Sequence, residues 1–439
     1  MTRIAMIALG KIGLPLAVQF ATMGHEVLGA DVDAATVARV NEGIAPFPGE
    51  EGLGDRLAKV VADGRLRATT DTRKAVARSQ VVVVAVPLFV DDQSRPDFSL
   101  MDAATAAIAA GLQRGTLVSY ETTLPVGTTR TRYAPMLGQG SGLVPGVDFH
   151  LVFSPERVLT GRVFADLRRY PKLVGGIDGA SEAAGMAFYA SALTFDDRRD
   201  LPRPNGVWAM GSAEAAELAK LAETTYRDVN IGLANQFARF ADANGIDLTA
   251  VIEACNSQPY SRIHTPGIAV GGHCIPVYPR LYLFNDPEAT IVAAAREANA
   301  GMPAYAVGRL AQAYGDLAGA RVAVLGAAYR GGVKETAFSG VFPVVQQLRD
   351  AGARVAVHDP LFSDDELAGH GWAPYHLGTP VEAAVIQADH DEYRSLTAAD
   401  LPGARAVLDG RGVISPRAFP GLPVLQLGRA ASSASMASC

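Results

Sequence analysis

The sequence predicts an α/β protein: two Rossmann-like domains joined by a central helical domain with one long helix. Three observations predict it. Short β-branched runs alternate with alanine-rich helical stretches in the first third of the chain, the same alternation returns in the last third, and an unbroken helical pattern lies between them. In order, Arg3–Ile7 reads as a strand, Ile12–Met23 as a helix, and Glu26–Ala30 as a strand ending at Asp31. Val81–Val86 is a continuous apolar run, as in a strand buried on both faces of a parallel sheet. Thr116–Tyr120 and His150–Phe153 supply further strands. From Val207 to about Ala243 runs a single helical pattern, stopped by Asn244-Gly245. A helix of ~35 residues is ~50 Å long, which suits a spine between domains or a dimer interface. Leu248–Asn256 follows as a second helix. Strands at Arg321–Gly326, Arg354–His358, Val381–Ile386 and Ala404–Leu408, with a helix at Phe342–Ala351, then rebuild a nucleotide-type fold. The expected boundaries are 1–200, 201–305 and 306–428, with 429–439 a flexible tail in which Cys439 has no chemical task.

The 439 residues suffice for two to four domains. With 49% hydrophobic and 19% charged residues, a large core is available and wholesale disorder is excluded. Lysine and arginine number 39 against 45 acids, which argues against a protein that coats nucleic acid. No apolar run is long enough to span a bilayer, and the N-terminus runs into a strand without a signal pattern. Three cysteines make no disulfide framework, which fits a cytoplasmic location.

Ala8-Leu9-Gly10-Lys11-Ile12-Gly13 lies between the first strand and the first helix. It fits the dinucleotide fingerprint except that Ala8 replaces the first glycine. Gly10 lets the backbone approach a pyrophosphate, Gly13 lets helix and strand pack closely, and the helix N-terminus offers N–H donors. Ala8 is acceptable only if that turn keeps φ negative. Asp31, 21 residues after Gly10, can accept both ribose hydroxyls of NAD and would repel the 2′-phosphate of NADP. A Rossmann-like domain that uses these glycines only for packing is the alternative.

Gly271-Gly272-His273-Cys274-Ile275-Pro276-Val277-Tyr278-Pro279 does not belong inside a helix or strand. It holds a thiol in a Gly-flanked loop that a substrate can approach. A thiolate can attack an aldehyde, and the thiohemiacetal can be oxidised to a thioester. Paired with an NAD site, that chemistry implies an alcohol-to-acid oxidation in two hydride steps. The alternative is a small buried hydrophobe, the common fate of a free cysteine.

Gly-Gly-His-Cys-Ile-Pro-Val, the fingerprint at the start, and Ser154-Pro155-Glu156-Arg157-Val158 midway resemble the UDP-glucose/GDP-mannose dehydrogenase family. The resemblance covers roughly residues 3 to 428. It includes Thr122 to Thr129, Ala216 to Leu221 and Arg321 to Gly326. His273 resembles the branch that oxidises UDP-N-acetylhexosamines. The resemblance implies NAD as cofactor, a UDP-sugar substrate, a uronic acid product, no metal and a homodimer.

It also implies roles. Cys274 matches the nucleophile, Lys220 the lysine that stabilises the oxyanion, Glu156 the carboxylate that activates water, and Thr123 the threonine that holds that water. Gly10, Lys11, Ile12, Gly13, Asp31, Val86, Pro87 and Thr123 match cofactor contacts. Arg157, Val158, Leu159, Lys220, Thr224, Gly271 and Gly272 match substrate contacts. Arg262 and Arg411 match arginines that hold the nucleotide sugar. Tyr329 and Arg330 match an aromatic-plus-basic pair near the substrate. Without the resemblance Lys220 is a lysine snorkelling from a helix, and Glu156 a surface glutamate.

Three features depart from the family pattern. Tyr278 stands where an aspartate is usual, Thr224 where asparagine is common, and the run Gly331 to Ala337 lacks an acidic pair and an arginine. The reading is therefore a UDP-N-acetylglucosamine or UDP-N-acetylmannosamine 6-dehydrogenase. A UDP-glucose 6-dehydrogenase, a catalytically silent nucleotide-sugar binder and a two-electron hydroxyacid-type enzyme are its rivals. The resemblance places the active site in the cleft between the domains.

Overall fold

The computed structural model describes residues 1–91 and 93–429. The expected flexible tail from Ala430 to Cys439 lies outside the described residues. The chain forms two compact units, 1–223 and 224–439.

In the first unit, β1 (Arg3–Ile7), β2 (Glu26–Ala30), β3 (Leu66–Thr69) and β4 (Val81–Val84) are the early strands. A short hairpin follows, β5 (Phe89–Val90) with β6 (Pro96–Asp97). Then come β7 (Leu117–Tyr120), β8 (His150–Phe153), β9 (Lys172–Gly176) and β10 (Val207–Ala209). They build an eight-stranded sheet in the order β10-β9-β8-β7-β4-β1-β2-β3. All four residues of β4 are fully or nearly buried, as a strand covered on both faces requires. The neighbours are parallel except β8 and β9, which run antiparallel with Val152 opposite Gly176 and Phe153 opposite Gly175. That reversal carries the start of β9 past the carboxyl end of β8.

The long helix is Ala213–Asn244, 32 residues. It starts later than the pattern from Val207 suggests. Val207–Ala209 instead pairs with β9, between Gly206 and Gly211, both at positive φ. Ser212 then opens the helix by accepting the Ala215 N–H at 3.1 Å. The change from the first unit to the second falls inside this helix.

In the second unit β11 (Arg321–Leu325), β12 (Arg354–His358), β13 (Ala373–Pro374), β14 (Ala383–Ile386), β15 (Ala406–Asp409) and β16 (Val424–Gln426) form an all-parallel sheet. Its order, β13-β12-β11-β14-β15-β16, is the doubly wound 3-2-1-4-5-6 arrangement. Separate apolar clusters cover its two faces. One is built on Val322, Val324 and Leu348, the other on Ala323, Leu325 and Phe419. Among the described residues, no helix is long and apolar enough to cross a membrane.

Candidate functional site

The turn after β1 has the shape a dinucleotide needs. A Cβ on Gly13 would lie 2.0 Å from the Ala8 carbonyl oxygen, so strand and helix touch there through backbone alone. A Cβ on Gly10 would meet nothing within 4 Å, so the approach above it is open. The helix Gly13–Thr22 has no side-chain cap and no acid in its first turn, so no side chain competes with an anion there. The expectation of a negative φ at Ala8 is corrected: φ is +73°. Ala8 takes the left-handed backbone a glycine would take, while its N–H continues the β1–β2 pairing by donating to Ala30 O at 2.8 Å.

The second sheet repeats this turn with glycine in place: Gly326, at φ +108°, donates to His358 O at 2.7 Å. In each sheet an aspartate ends the second strand and accepts a turn N–H. Asp31 takes Leu9 N at 2.7 Å and Asp33 N at 2.9 Å, and stays part-exposed. A carboxylate has about four acceptor sites, so both ribose hydroxyls still fit. Asp359 is buried and takes Ala327 N, Ala328 N, Leu361 N and His390 Nε2, which fills it. The residues present therefore fit NAD at the first turn, where Gly10 to Gly13 would face the phosphates and Asp31 the ribose. They do not fit it at the second. Lys11 and Pro87 are exposed, Ile12 is half-buried, Val86 is buried, and the Val86 carbonyl accepts the Thr122 hydroxyl at 2.6 Å. Thr123 beside it is buried.

Two polar chains lie in the first unit. In one, Glu156 is held by Lys172 Nζ at 2.9 Å, and Lys172 also reaches Glu121 at 2.8 Å. Glu156 is thus no surface glutamate. In the other, Arg157 Nε donates to Glu223 Oε2 at 2.9 Å, and Lys220 Nζ lies 3.4 Å from Glu223 Oε1. Lys220 is only 5% exposed, so it does not snorkel to solvent. Val158 packs on the main apolar cluster, while Leu159 is exposed. Sequence reasoning missed Glu121, Lys172 and Glu223. It also missed Glu217, which is fully buried and accepts Gly127 N at 2.5 Å, Thr129 N at 2.9 Å and Thr129 Oγ1 at 2.7 Å. These bonds clamp a π-helical turn, Thr129–Tyr133, just after the Thr122–Val126 segment. Burial pushes Glu217 up to about 7 against the pull of its three donors.

In the second unit Cys274 is half-buried and unbridged. The loop is anchored on the segment after β11. Gly272 N donates to Ala337 O at 2.9 Å, and His273 Nε2 lies 3.5 Å from Glu335 Oε2. A Cβ on Gly271 would come within 2.6 Å of Tyr329, and one on Gly272 within 3.0 Å of its ring. Tyr329 therefore packs on the cysteine loop, and Arg330 Nε donates to its hydroxyl at 3.2 Å. The loop is shorter than expected. Tyr278 and Pro279 open a helix, Tyr278–Asn285, where proline is tolerated because a first-turn N–H has no intrahelical partner. Arg411 spends Nε on Gln387 O at 2.7 Å and Nη2 on Tyr329 O at 3.2 Å, so one edge of its fork is committed to carbonyls. Arg262 is exposed, and Thr224 is fully buried.

A dinucleotide turn on one sheet and a second doubly wound sheet define a class: NAD-dependent oxidoreductases. The sequence matches the NAD binding domain of the UDP-glucose/GDP-mannose dehydrogenase family over residues 2–193, its central domain over 214–300 and its UDP binding domain over 323–416. The chain is 35% identical to the UDP-N-acetyl-D-mannosamine dehydrogenase of Pyrococcus horikoshii, over 94% of this chain and 96% of that one. The solved UDP-D-ManNAc dehydrogenase structure from Pyrococcus horikoshii superposes with a TM-score of 0.86 at 33% identity, covering 98% and 99% of the two chains. A UDP-glucose dehydrogenase structure from Pyrobaculum islandicum gives 0.86 at 27% identity, covering 98% of each. The chain belongs to the UDP-glucose/GDP-mannose dehydrogenase family.

Proposed function

We propose that the chain oxidises C6 of a UDP-N-acetylhexosamine, UDP-N-acetylmannosamine or UDP-N-acetylglucosamine, to the UDP-uronic acid. The half-buried, unbridged Cys274 in its glycine-flanked loop carries this reading, and the likeness to the UDP-N-acetyl-D-mannosamine dehydrogenase of Pyrococcus horikoshii supports the sugar class. NAD, when bound at Gly10, Gly13 and Asp31, accepts a hydride at each of two oxidation steps. Cys274 adds as thiolate to the aldehyde carbon and holds it through the second step as a thioester. Lys220 places a buried ammonium to stabilise the oxyanion formed when the aldehyde or thioester is attacked. Glu156 takes the proton of the water that cleaves the thioester. Residues 1–200, 201–305 and 306–428 serve as NAD-binding, central and UDP-binding domains. The protein works in the cytoplasm, where Cys274 stays reduced.

It assembles as a homodimer through the long helix. Tyr226, Leu233, Phe237 and Phe240 are 57%, 47%, 38% and 62% exposed. Their spacing of seven, four and three residues sets them in one apolar stripe, which water does not favour.

The deciding experiment incubates the protein with NAD and UDP-N-acetylmannosamine, UDP-N-acetylglucosamine or UDP-glucose. It counts NADH released per uronic acid. Two NADH per acid are expected with a UDP-N-acetylhexosamine, and Cys274→Ala stops acid formation. Acid made by Cys274→Ala at the normal rate refutes the covalent route.

A further inference from the structure

The antiparallel turn of β9 has a chemical result. Lys172 is the first residue of β9, so it lies beyond the carboxyl end of β8, near Glu156, and beside Glu121, which directly follows β7. Its side chain is 3% exposed and that of Glu121 is fully buried. The hydrogen bonds converge on the two carboxylates. Ser119 Oγ lies 2.7 Å from Tyr189 OH, which donates to Glu121 Oε1 at 2.6 Å. Lys172 donates to Glu121 Oε2 and to Glu156 Oε2. Arg157 N donates to Glu156 Oε1 at 2.8 Å. The guanidinium of Arg157 turns away, to Glu223 and the Pro171 carbonyl. Two carboxylates thus share one buried ammonium, an arrangement that an apolar core would replace at no loss of stability. Glu156 keeps a tenth of its side chain exposed. It borders a recess of the size of a water, alongside Pro155, Tyr170 and Pro171.

We propose that Lys172, braced by Glu121 and Tyr189, is the positioning residue that keeps the Glu156 carboxylate ionised and aimed at the hydrolytic water. The proposal rests on the reading of Glu156 as the base. In the step served, water's oxygen bonds to the thioester carbon while one of its protons passes to Glu156. The C–S bond then breaks, sulfur leaves as thiolate, and the carbon leaves as the acid; no electrons are exchanged with a cofactor.

The charges favour this division of labour. Burial pushes Glu121 up to about 7. Burial works on Glu156 in the same sense, but the Lys172 charge and the hydrogen bonds from Lys172 and Arg157 N outweigh it and hold its carboxyl low. Burial likewise opposes the Lys172 charge, and the two carboxylates overcome it.

The test compares wild type, Lys172→Met, Lys172→Arg and Glu156→Gln with NAD and each of the two UDP-N-acetylhexosamines. It measures the first NADH by rapid quench, steady-state turnover, and covalent sugar on Cys274 by intact mass. Lys172→Met is expected to keep the first NADH within about threefold of wild type. Its turnover falls by ~10²-fold or more, within the range of lost acid–base assistance, and the adduct accumulates. Lys172→Arg restores most of the turnover. If Glu156→Gln accumulates adduct while Lys172→Met does not, the positioning role is overturned and the base stands. If neither accumulates adduct in an active wild-type background, the base reading falls and this proposal falls with it. No NADH from wild type on either sugar overturns the substrate reading as well. Should Lys172→Met not fold, Glu121→Gln decides. Its turnover falls and the adduct accumulates because Lys172 loses its brace, and wild-type turnover with no adduct refutes the network.

Discussion

Gly10 and Gly13 stand in one turn, yet the structure gives them opposite physical tasks, and two alanine substitutions separate them. A Cβ at Gly13 would sit 2.0 Å from the Ala8 carbonyl oxygen, a backbone atom that cannot rotate away. Relief requires the helix to move off the strand by roughly 1 Å, and overpacking of that kind costs about 1–3 kcal/mol. In a unit of this size each kcal/mol lowers the thermal midpoint by roughly 2–4 °C, so Gly13→Ala should lose about 2–12 °C. The same displacement moves the N–H donors by about 1 Å, for which a loss on the order of 10²-fold in NAD affinity is reasonable. A Cβ at Gly10 meets no protein atom within 4 Å, and its φ is not positive. Gly10→Ala should therefore melt within 1–2 °C of wild type, a range set by roughly ±0.5 kcal/mol. It should still bind NAD weakly, because the methyl occupies the space of the pyrophosphate. Differential scanning fluorimetry without ligand and calorimetric NAD titration give both quantities. If Gly10→Ala binds NAD as wild type does, or Gly13→Ala melts unchanged, the assignment of ligand approach to one glycine and packing to the other is wrong.

Ala8→Gly should stabilise the protein by about 1 kcal/mol, since a left-handed alanine costs roughly 1–2 kcal/mol and glycine's extra chain entropy offsets part of the gain; chemical denaturation checks it, and a loss of stability contradicts the strain. Glu217 has a folded-state pKa raised to about 7 by burial, so its contribution to stability is full below the unfolded value and declines as pH rises through 7. The melting difference between wild type and Glu217→Gln should therefore move against wild type as pH goes from about 4.5 to 7 and level off above. A difference that stays constant over that range rules it out. Phe240→Glu should convert a dimer to monomer in analytical ultracentrifugation while far-UV circular dichroism is unchanged; an intact dimer would place the interface elsewhere.

What the sequence made legible was local. Gly10, Gly13 and Asp31 announce themselves because a phosphate turn needs its residue types at fixed spacing along one strand–turn–helix unit. Cys274 is visible for the same reason, as glycines and prolines crowd around it. Ala8 misled because an alanine ordinarily avoids positive φ; here it takes φ +73° where the chain turns from β1 into the helix. Val207–Ala209 misled because three residues carry no period, and their pairing with β9 decides the matter. Lys172 was invisible for a deeper reason. A lysine opening an apolar strand ordinarily reaches solvent, and only the reversal of β9 turns it inward between two glutamates. The commitment of Arg411 to two backbone carbonyls likewise depends on loops brought together from Tyr329 and Gln387.

The ring of Tyr329 rests where Gly272 has no side chain. Any enlargement at 272 must be answered by a shrinkage at 329, or the sulfur two residues further on is displaced. Gly272 also sits at φ +91°, so a side chain there is strained whatever the room, and a smaller residue at 329 should not by itself restore an enlarged 272. The aromatic ring acts as a gauge block for the nucleophile, setting the height of the sulfur by its own thickness.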